Sequence, residues 1–273
     1  MTEVSANAGT PSIGRAHRWV IGARPRTLAA AAVPVVVGTA VGRLYGHGGI
    51  IWWRAGCAAV VALAVQVGTN YANDYSDGMR GSDDRRIGPI RLTSSGLARP
   101  EQVRAASLVA FGVAGAAGIA LAASVGWWLI AVGFACFLAG WLYTGGPKPY
   151  GYLGLGELFV FVFFGLVATA GSGYVQHGHL SALVVAAGVP VGLLSVTLLE
   201  ANNLRDVDGD AASQKRTIAV RIGASRARWL YVGALAASFA SVGLVAWWHP
   251  FALLALVALP LAWRPWSLVG RGA

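Results

Sequence analysis

Acidic residues are scarce in this sequence: eleven Asp and Glu stand against 21 Lys and Arg in 273 residues. Charge of either sign is thin, at 12% of residues, where a soluble globular domain carries about 25%. With 56% of residues hydrophobic, that composition excludes an ordinary soluble globule. Cysteine is nearly absent. Cys57 and Cys136 lie in apolar runs without CxxC spacing, which excludes a disulfide framework and a cysteine zinc site. No apolar stretch of signal-peptide type stands near the start, so no cleaved signal is expected. Residues 1–18 read instead as a disordered cytoplasmic tail, followed by a single transmembrane domain over 19–273.

What the chain does have is long apolar runs. Segments of membrane-spanning length fall at roughly 27–43, 51–71, 105–124, 126–144, 155–174, 180–200, 228–247 and 250–264. The expected fold is therefore all-α, a polytopic bundle of about eight transmembrane helices. A basic amphipathic stretch with Trp19 leads into the first. Placing the N-terminus in the cytoplasm puts 19 of the 21 basic residues on the inner side, leaving only Arg43 and Arg54 outside. The formal charge of +10 is thus explained by topology, and nucleic acid is excluded as a partner. His47, His177, His179 and His249 fall in outer turns, and the Trp pairs at 52–53, 127–128 and 247–248 read as an interfacial belt.

The few acidic residues are not scattered. The stretch 70–86, NYANDYSDGMRGSDDRR, holds four of the eleven at the foot of the second apolar segment. Asn70, Asn73, Asp74 and Asp77 recur at i, i+3, i+4 and i+7, which places them on one helix face. Asp83 and Asp84 follow on a glycine-loosened loop. The spacing Asn73-x-x-x-Asp77 returns as Asn202-x-x-x-Asp206, 129 residues and four helices later, with Asp210 one turn on. That offset suggests two four-helix repeats, the second beginning near 150.

Carboxylates beside guanidiniums suit a divalent cation together with a phosphate ester, since Mg²⁺ takes one or two carboxylates and completes its shell with phosphate oxygens and water. Two such clusters facing one cavity fit two Mg²⁺ ions bridging a substrate diphosphate. An allylic prenyl diphosphate so held would ionise towards a carbocation, shielded from water until an electron-rich aromatic ring attacks. The bland alternative is a charged helix end that stops the helix sliding into lipid. A cation transporter is disfavoured, because the acidic residues gather on one side and the outer halves are nearly uncharged.

At these residues the sequence resembles the UbiA superfamily of intramembrane prenyltransferases. Asn73, Asp77 and Asp83 match its first aspartate-rich motif; Asn202, Asp206 and Asp210 match the second, with Lys215, Arg216 and Thr217 as the KRT tail. Three further stretches resemble the branch that prenylates 1,4-dihydroxy-2-naphthoate in menaquinone synthesis. They are ARPRTLAAAAVPVVVGTA from Ala23, GPIRLTSSG from Gly88, and YTGGPKPYGYLGLGE from Tyr143, running on into FFGLVATAGSGYVQ. The resemblance spans about residues 19–263. It implies a ring of helices around a lipid-open cavity in the cell membrane, an active site facing the cytoplasm, and a requirement for Mg²⁺. It also implies transfer of a polyprenyl chain from its diphosphate to the naphthoate, with loss of CO₂ and diphosphate. A 4-hydroxybenzoate or other phenolic acceptor is the alternative. That family has nine such helices and eight are read here, so a missing ninth, a gap beside the first helix and an impaired copy are also to be weighed.

On this reading Asp77, Asp83, Asp206 and Asp210 are the metal ligands, with Asn73 and Asn202 completing the catalytic clusters. Arg91, Arg205 and Lys215 are candidate diphosphate contacts, and Arg24 a candidate for the acceptor's carboxylate. Tyr143, Lys148 and Tyr150 are candidates for an aromatic pocket. Asp74, Asp84 and Asp208 are expected around the ligands, Glu157 as a helix-start carboxylate, and Glu200 as support for the second cluster.

Overall fold

The computed structural model describes residues 14–45, 49–82 and 88–271, and among these every element is helical. Asp83 and Asp84 lie outside the described residues. The eight apolar helices are there: seven are long enough to cross a membrane, and one, α5 (Leu129–Leu142), is shorter. The first of the seven, Arg15–Tyr45, opens with a short amphipathic helix, α1 (Arg15–Ala23), so helix begins inside what the sequence reads as tail. Arg24 then turns the chain in the left-handed region (φ 54°) before α2 (Leu28–Gly42). The others are α3 (Trp52–Met79), α4 (Pro100–Val125), α6 (Gly156–His177), α7 (Ala182–Arg205), α10 (Ala224–Ala246) and α11 (Pro250–Arg271). Two short helices, α8 (Val207–Ala212) and α9 (Ile218–Ile222), join α7 to α10.

Helices in lipid gain nothing from hiding apolar surface from other helices, so close backbone approach and hydrogen bonds hold them together. A side chain on Gly38 or Gly42 of α2 would meet the backbone of α6, 2.1 Å from the Thr169 oxygen and 2.6 Å from the Gly173 oxygen. Gly165 presses equally on Gly192, joining α6 to α7. The Gly165 contact falls within a π turn of α6, Phe161–Val167, and the contacts with α2 follow it.

At the Trp-rich end, Arg54 donates to the carbonyls of Val175 (3.2 Å), Gln176 (3.0 Å) and Ser124 (3.3 Å). It thereby satisfies the orphan carbonyls that end α4 and α6. One of the two basic residues on the sparse side is a clamp. The opposite end is polar. There α1 lies across α3, with Trp19 edge-on to Tyr71 and the Tyr71 hydroxyl donating to the Trp19 carbonyl at 2.7 Å.

Candidate active site

Between α2 and α7 lies a cavity of about 1230 Å³. Its walls are apolar along most of their length, and its polar end collects the charged residues. Arg24, Asn73, Asp77, Arg91, Tyr143, Tyr150, Asn202, Arg205, Asp206, Asp210 and Lys215 all line it. Lys148 does not: it is exposed in the turn after α5.

The helix face bearing Asn70, Asn73, Asp74 and Asp77 divides its labour. Asn70 is a joint, donating to the Ala23 carbonyl (2.9 Å) and the Thr27 hydroxyl (3.0 Å), while Gln66 donates back to it at 3.2 Å. That network fixes the α1–α2 bend against α3. Asp74, fully buried, accepts the backbone N–H groups of Leu92 (2.8 Å) and Thr93 (2.9 Å) and so fastens the 88–96 loop. Asn73 and Asp77 line the cavity one and two turns further towards its mouth than Asn70, which lines it too. The Thr144 hydroxyl donates to Asn73 at 2.8 Å, and the Tyr152 hydroxyl donates to Asp77 at 3.0 Å.

Tyr152 is a residue the sequence reading missed, although it sits in the quoted Tyr143–Glu157 stretch two places after Tyr150. Its hydroxyl meets Ser82 at 2.8 Å, and its ring lies under the Arg80 guanidinium (5.4 Å) and the Lys215 ammonium (5.6 Å). Burial, and then the Asp77 charge, push its pKa upward. The phenol therefore stays a donor at neutral pH. Arg80 also donates to the Thr144 and Gly146 carbonyls, holding the turn that presents Thr144 and Tyr152.

The second cluster is held by cations. Arg205 grips Asp206 with two bonds of 2.9 and 2.8 Å. The Lys215 ammonium stands 3.6 Å from Asp210 and 3.9 Å from Asp77, so one cation bridges the feet of α3 and α8. Asn202 donates within its own helix, to the Leu198 carbonyl at 3.1 Å. Next to it, Asn203 donates to Glu157 at 2.9 Å, tying the start of α6 to the foot of α7 beside fully buried Glu200. Asp208 is exposed and does not line the cavity.

A divalent cation fits this arrangement, because an ammonium already occupies the space between two buried carboxylates. Among the described residues no three His, Cys, Asp or Glu converge into an all-protein cage. Mg²⁺ needs no such cage when phosphate oxygens and water complete its shell.

Just inside the mouth, one wall is aromatic. Tyr143 packs edge-on to Tyr150 (5.4 Å), Tyr150 stacks on Phe159 (4.0 Å), and Phe159 on Phe163 (5.9 Å). The Tyr150 hydroxyl donates to the Ala139 carbonyl at 2.6 Å, and burial raises its pKa as well. A row of π faces beside a polar mouth is suited to an electron-poor carbon centre.

Comparison with known proteins finds relatives in both sequence and fold. The chain is 48% identical over 257 residues to the 1,4-dihydroxy-2-naphthoate octaprenyltransferase of Mycobacterium tuberculosis, covering 93% of this chain and 87% of that one. It is 34% identical to the protein of the same name from Escherichia coli, over 79% of this chain and 72% of that one. Its fold matches a UbiA homolog from Archaeoglobus fulgidus, solved bound to GPP and Mg²⁺, with a TM-score of 0.68 at 12% identity over 90% of this chain and 86% of that one. The model of the UbiA prenyltransferase family matches residues 31–271. A match over that much of the sequence makes the chain a member of the UbiA prenyltransferase family.

Proposed function

We propose that this chain transfers a polyprenyl group from its allylic diphosphate to 1,4-dihydroxy-2-naphthoate, releasing CO₂ and diphosphate and giving demethylmenaquinol. The observation that carries the reading is the meeting of two acidic helix feet around Lys215, at the mouth of an apolar cavity. The names of the relatives choose the acceptor.

Asp77, Asp206 and Asp210, with Asp83, would hold Mg²⁺, with Asn73 and Asn202 beside them. When bound, the metal neutralises the diphosphate and makes it a better leaving group. Lys215 and Arg205, now paired with carboxylates, supply the remaining positive charge, and Arg91 lines the same mouth. The C1–O bond of the donor breaks with its electron pair on the diphosphate. The aromatic row at Tyr143, Tyr150 and Phe159 faces the allylic cation and excludes water from it. The ring carbon that bears the carboxylate would then attack C1, and the carboxylate leaves as CO₂, its C–C electron pair restoring the aromatic ring. Arg24, at the bend before α2, lines the mouth where that carboxylate would dock. The basic polar end is read as cytoplasmic, in the cell membrane.

The test is prenyl transfer by membranes containing this chain, with dihydroxynaphthoate and 4-hydroxybenzoate offered separately, in Mg²⁺ and then in EDTA. Metal-dependent product from the naphthoate alone is expected. Product from 4-hydroxybenzoate alone would overturn the acceptor, and undiminished transfer in EDTA would overturn the metal assignment.

A further inference from the structure

We infer that the side-chain carbonyl of Asn203, held in place by the buried carboxyl pair Glu157 and Glu200, accepts a hydrogen bond from the 4-hydroxyl of the aromatic acceptor; this rests on the prenyl-transfer reading above. Asn203 is on the cavity face of α7. Leu199, Asn202, Asn203 and Asp206 recur at i, i+3, i+4 and i+7, and all four line the cavity. Asn203 stands three residues in from Asp206, about 4.5 Å at a rise of 1.5 Å per residue.

Its neighbours fix which way the amide points. The Asn203 Nδ2 donates to Glu157 Oε1 at 2.9 Å, and Glu200 stands within reach of the same amide. Glu157 and Glu200 also meet carboxyl to carboxyl, and both are buried. Among the described residues no Lys, Arg or His forms an ion pair with either. Two carboxyl groups make such a contact through one shared proton. The pair thus offers accepting oxygens to Asn203 and takes up its N–H groups. What remains of the amide is its Oδ1. That oxygen meets no donor among the described residues and, unlike the glutamate oxygens behind it, is not sealed off, so it opens on the cavity. An amide carbonyl only accepts, so the group it fits is a hydroxyl.

The aromatic wall begins at the same point. A Cβ on Gly156, the residue before Glu157, would meet Leu199 at 3.3 Å and the Tyr143 ring at 3.4 Å. An aromatic acceptor lying along Tyr143 and Tyr150 would therefore turn one ring edge to Asn203. In the dihydroxynaphthoate the 1-hydroxyl sits beside the carboxylate and hydrogen-bonds to it within the molecule. The 4-hydroxyl, across the ring, is free to donate. A site built to pair with that hydroxyl rejects the analogue lacking it, because the carbonyl is then left unpaired.

The experiment measures kcat/KM in membranes, at saturating donor and Mg²⁺, for 1,4-dihydroxy-2-naphthoate and for 1-hydroxy-2-naphthoate. The second keeps the carboxylate, the reacting carbon and the hydroxyl that activates it. The wild type should prefer the dihydroxy compound by at least about a hundredfold. Equal use of both would overturn the inference without any variant. Asn203→Leu should lower the dihydroxy value by about a hundredfold, mainly through the acceptor's KM, and the monohydroxy value by less than about threefold. Equal losses on the two acceptors would overturn the contact, because Asn203 would then only join α6 to α7. Glu200→Gln, whose amide can donate to Glu157 in place of the shared proton, should keep the preference, whereas Glu200→Leu should lose about tenfold of it. A Glu200→Gln variant as unselective as Glu200→Leu would overturn the shared proton, and a Glu200→Leu variant as selective as the wild type would overturn the positioning. Thermal stabilisation of the donor-loaded protein by each acceptor is recorded in parallel. Tighter binding of the dihydroxy compound by the wild type but not by Asn203→Leu, with transfer to neither acceptor, would refute the transfer reading while leaving the contact intact. Binding that ignores the 4-hydroxyl would refute the contact.

Discussion

The feet of α3 and α7 carry the same residue types at the same spacing, yet they are held by opposite means. Asn73 and Asp77 take neutral hydroxyl donors from Thr144 and Tyr152, both presented by the 143–153 turn. Asp206 and Asp210 take cations, Arg205 and Lys215, from their own neighbourhood in sequence. A hydroxyl orients a carboxylate without neutralising it, while the Lys215 ammonium stands 3.9 Å from Asp77 and nearer, at 3.6 Å, to Asp210. The second is charge-compensated and must give up partners when a ligand enters. One cluster is built to receive and the other to exchange, and Lys215 lies where they meet.

Substitutions can break or sharpen that comparison. The largest effect is expected at the carboxylates themselves: Asp77→Ala and Asp206→Ala should each lower kcat by about a thousandfold or more while the protein stays in the membrane fraction. Near-normal turnover in either would mean that only one foot does the chemistry. Lys215→Met leaves Asp77 and Asp210 facing one another without their shared cation, and a loss of about a hundredfold is expected in steady-state rates. If that variant matched the wild type, the bridging geometry would be incidental. Tyr152→Phe removes one hydroxyl donor from Asp77 and should cost about fivefold in kcat, with the ring retained under Arg80 and Lys215. A drop as large as that of Asp77→Ala would instead place the phenol in direct contact with substrate. Smallest for catalysis is Asp74→Ala: turnover per folded molecule should hold within about twofold, while stability falls by about 3 kcal/mol as two backbone N–H groups lose a charged acceptor. Thermal unfolding in detergent, alongside activity normalised to folded protein, separates the two.

Much of this was legible in the sequence because membrane burial makes polar residues conspicuous. The eight apolar segments, the Trp belt and the pairing of Asn73/Asp77 with Asn202/Asp206 all follow from hydropathy and spacing. Helical periodicity put Asn70, Asn73, Asp74 and Asp77 on one face, but it could not say that this face meets three different neighbours. Those neighbours, the α1–α2 bend, the 88–96 loop and the 143–153 turn, come from distant parts of the chain. Tyr152 was hidden for the same reason: in sequence it is one more aromatic at a helix end. Lys148 shows the converse, a basic residue inside a telling motif whose turn points it away from the cavity. Arg54 looked like a lapse in charge asymmetry and is a clamp on two helix ends.

The bridging ammonium of Lys215 carries one more consequence. A cation that enters between Asp77 and Asp210 must evict a rival tethered to the same chain, whose effective concentration far exceeds that of a free ion. An anion arriving at the same mouth gives the evicted ammonium a new partner and eases its departure. Each ligand thus makes room for the other. By thermodynamic reciprocity, the factor by which the anion tightens the cation equals the factor by which the cation tightens the anion. An empty site of this kind resists loading by metal alone or by phosphate alone, and fills when both arrive together.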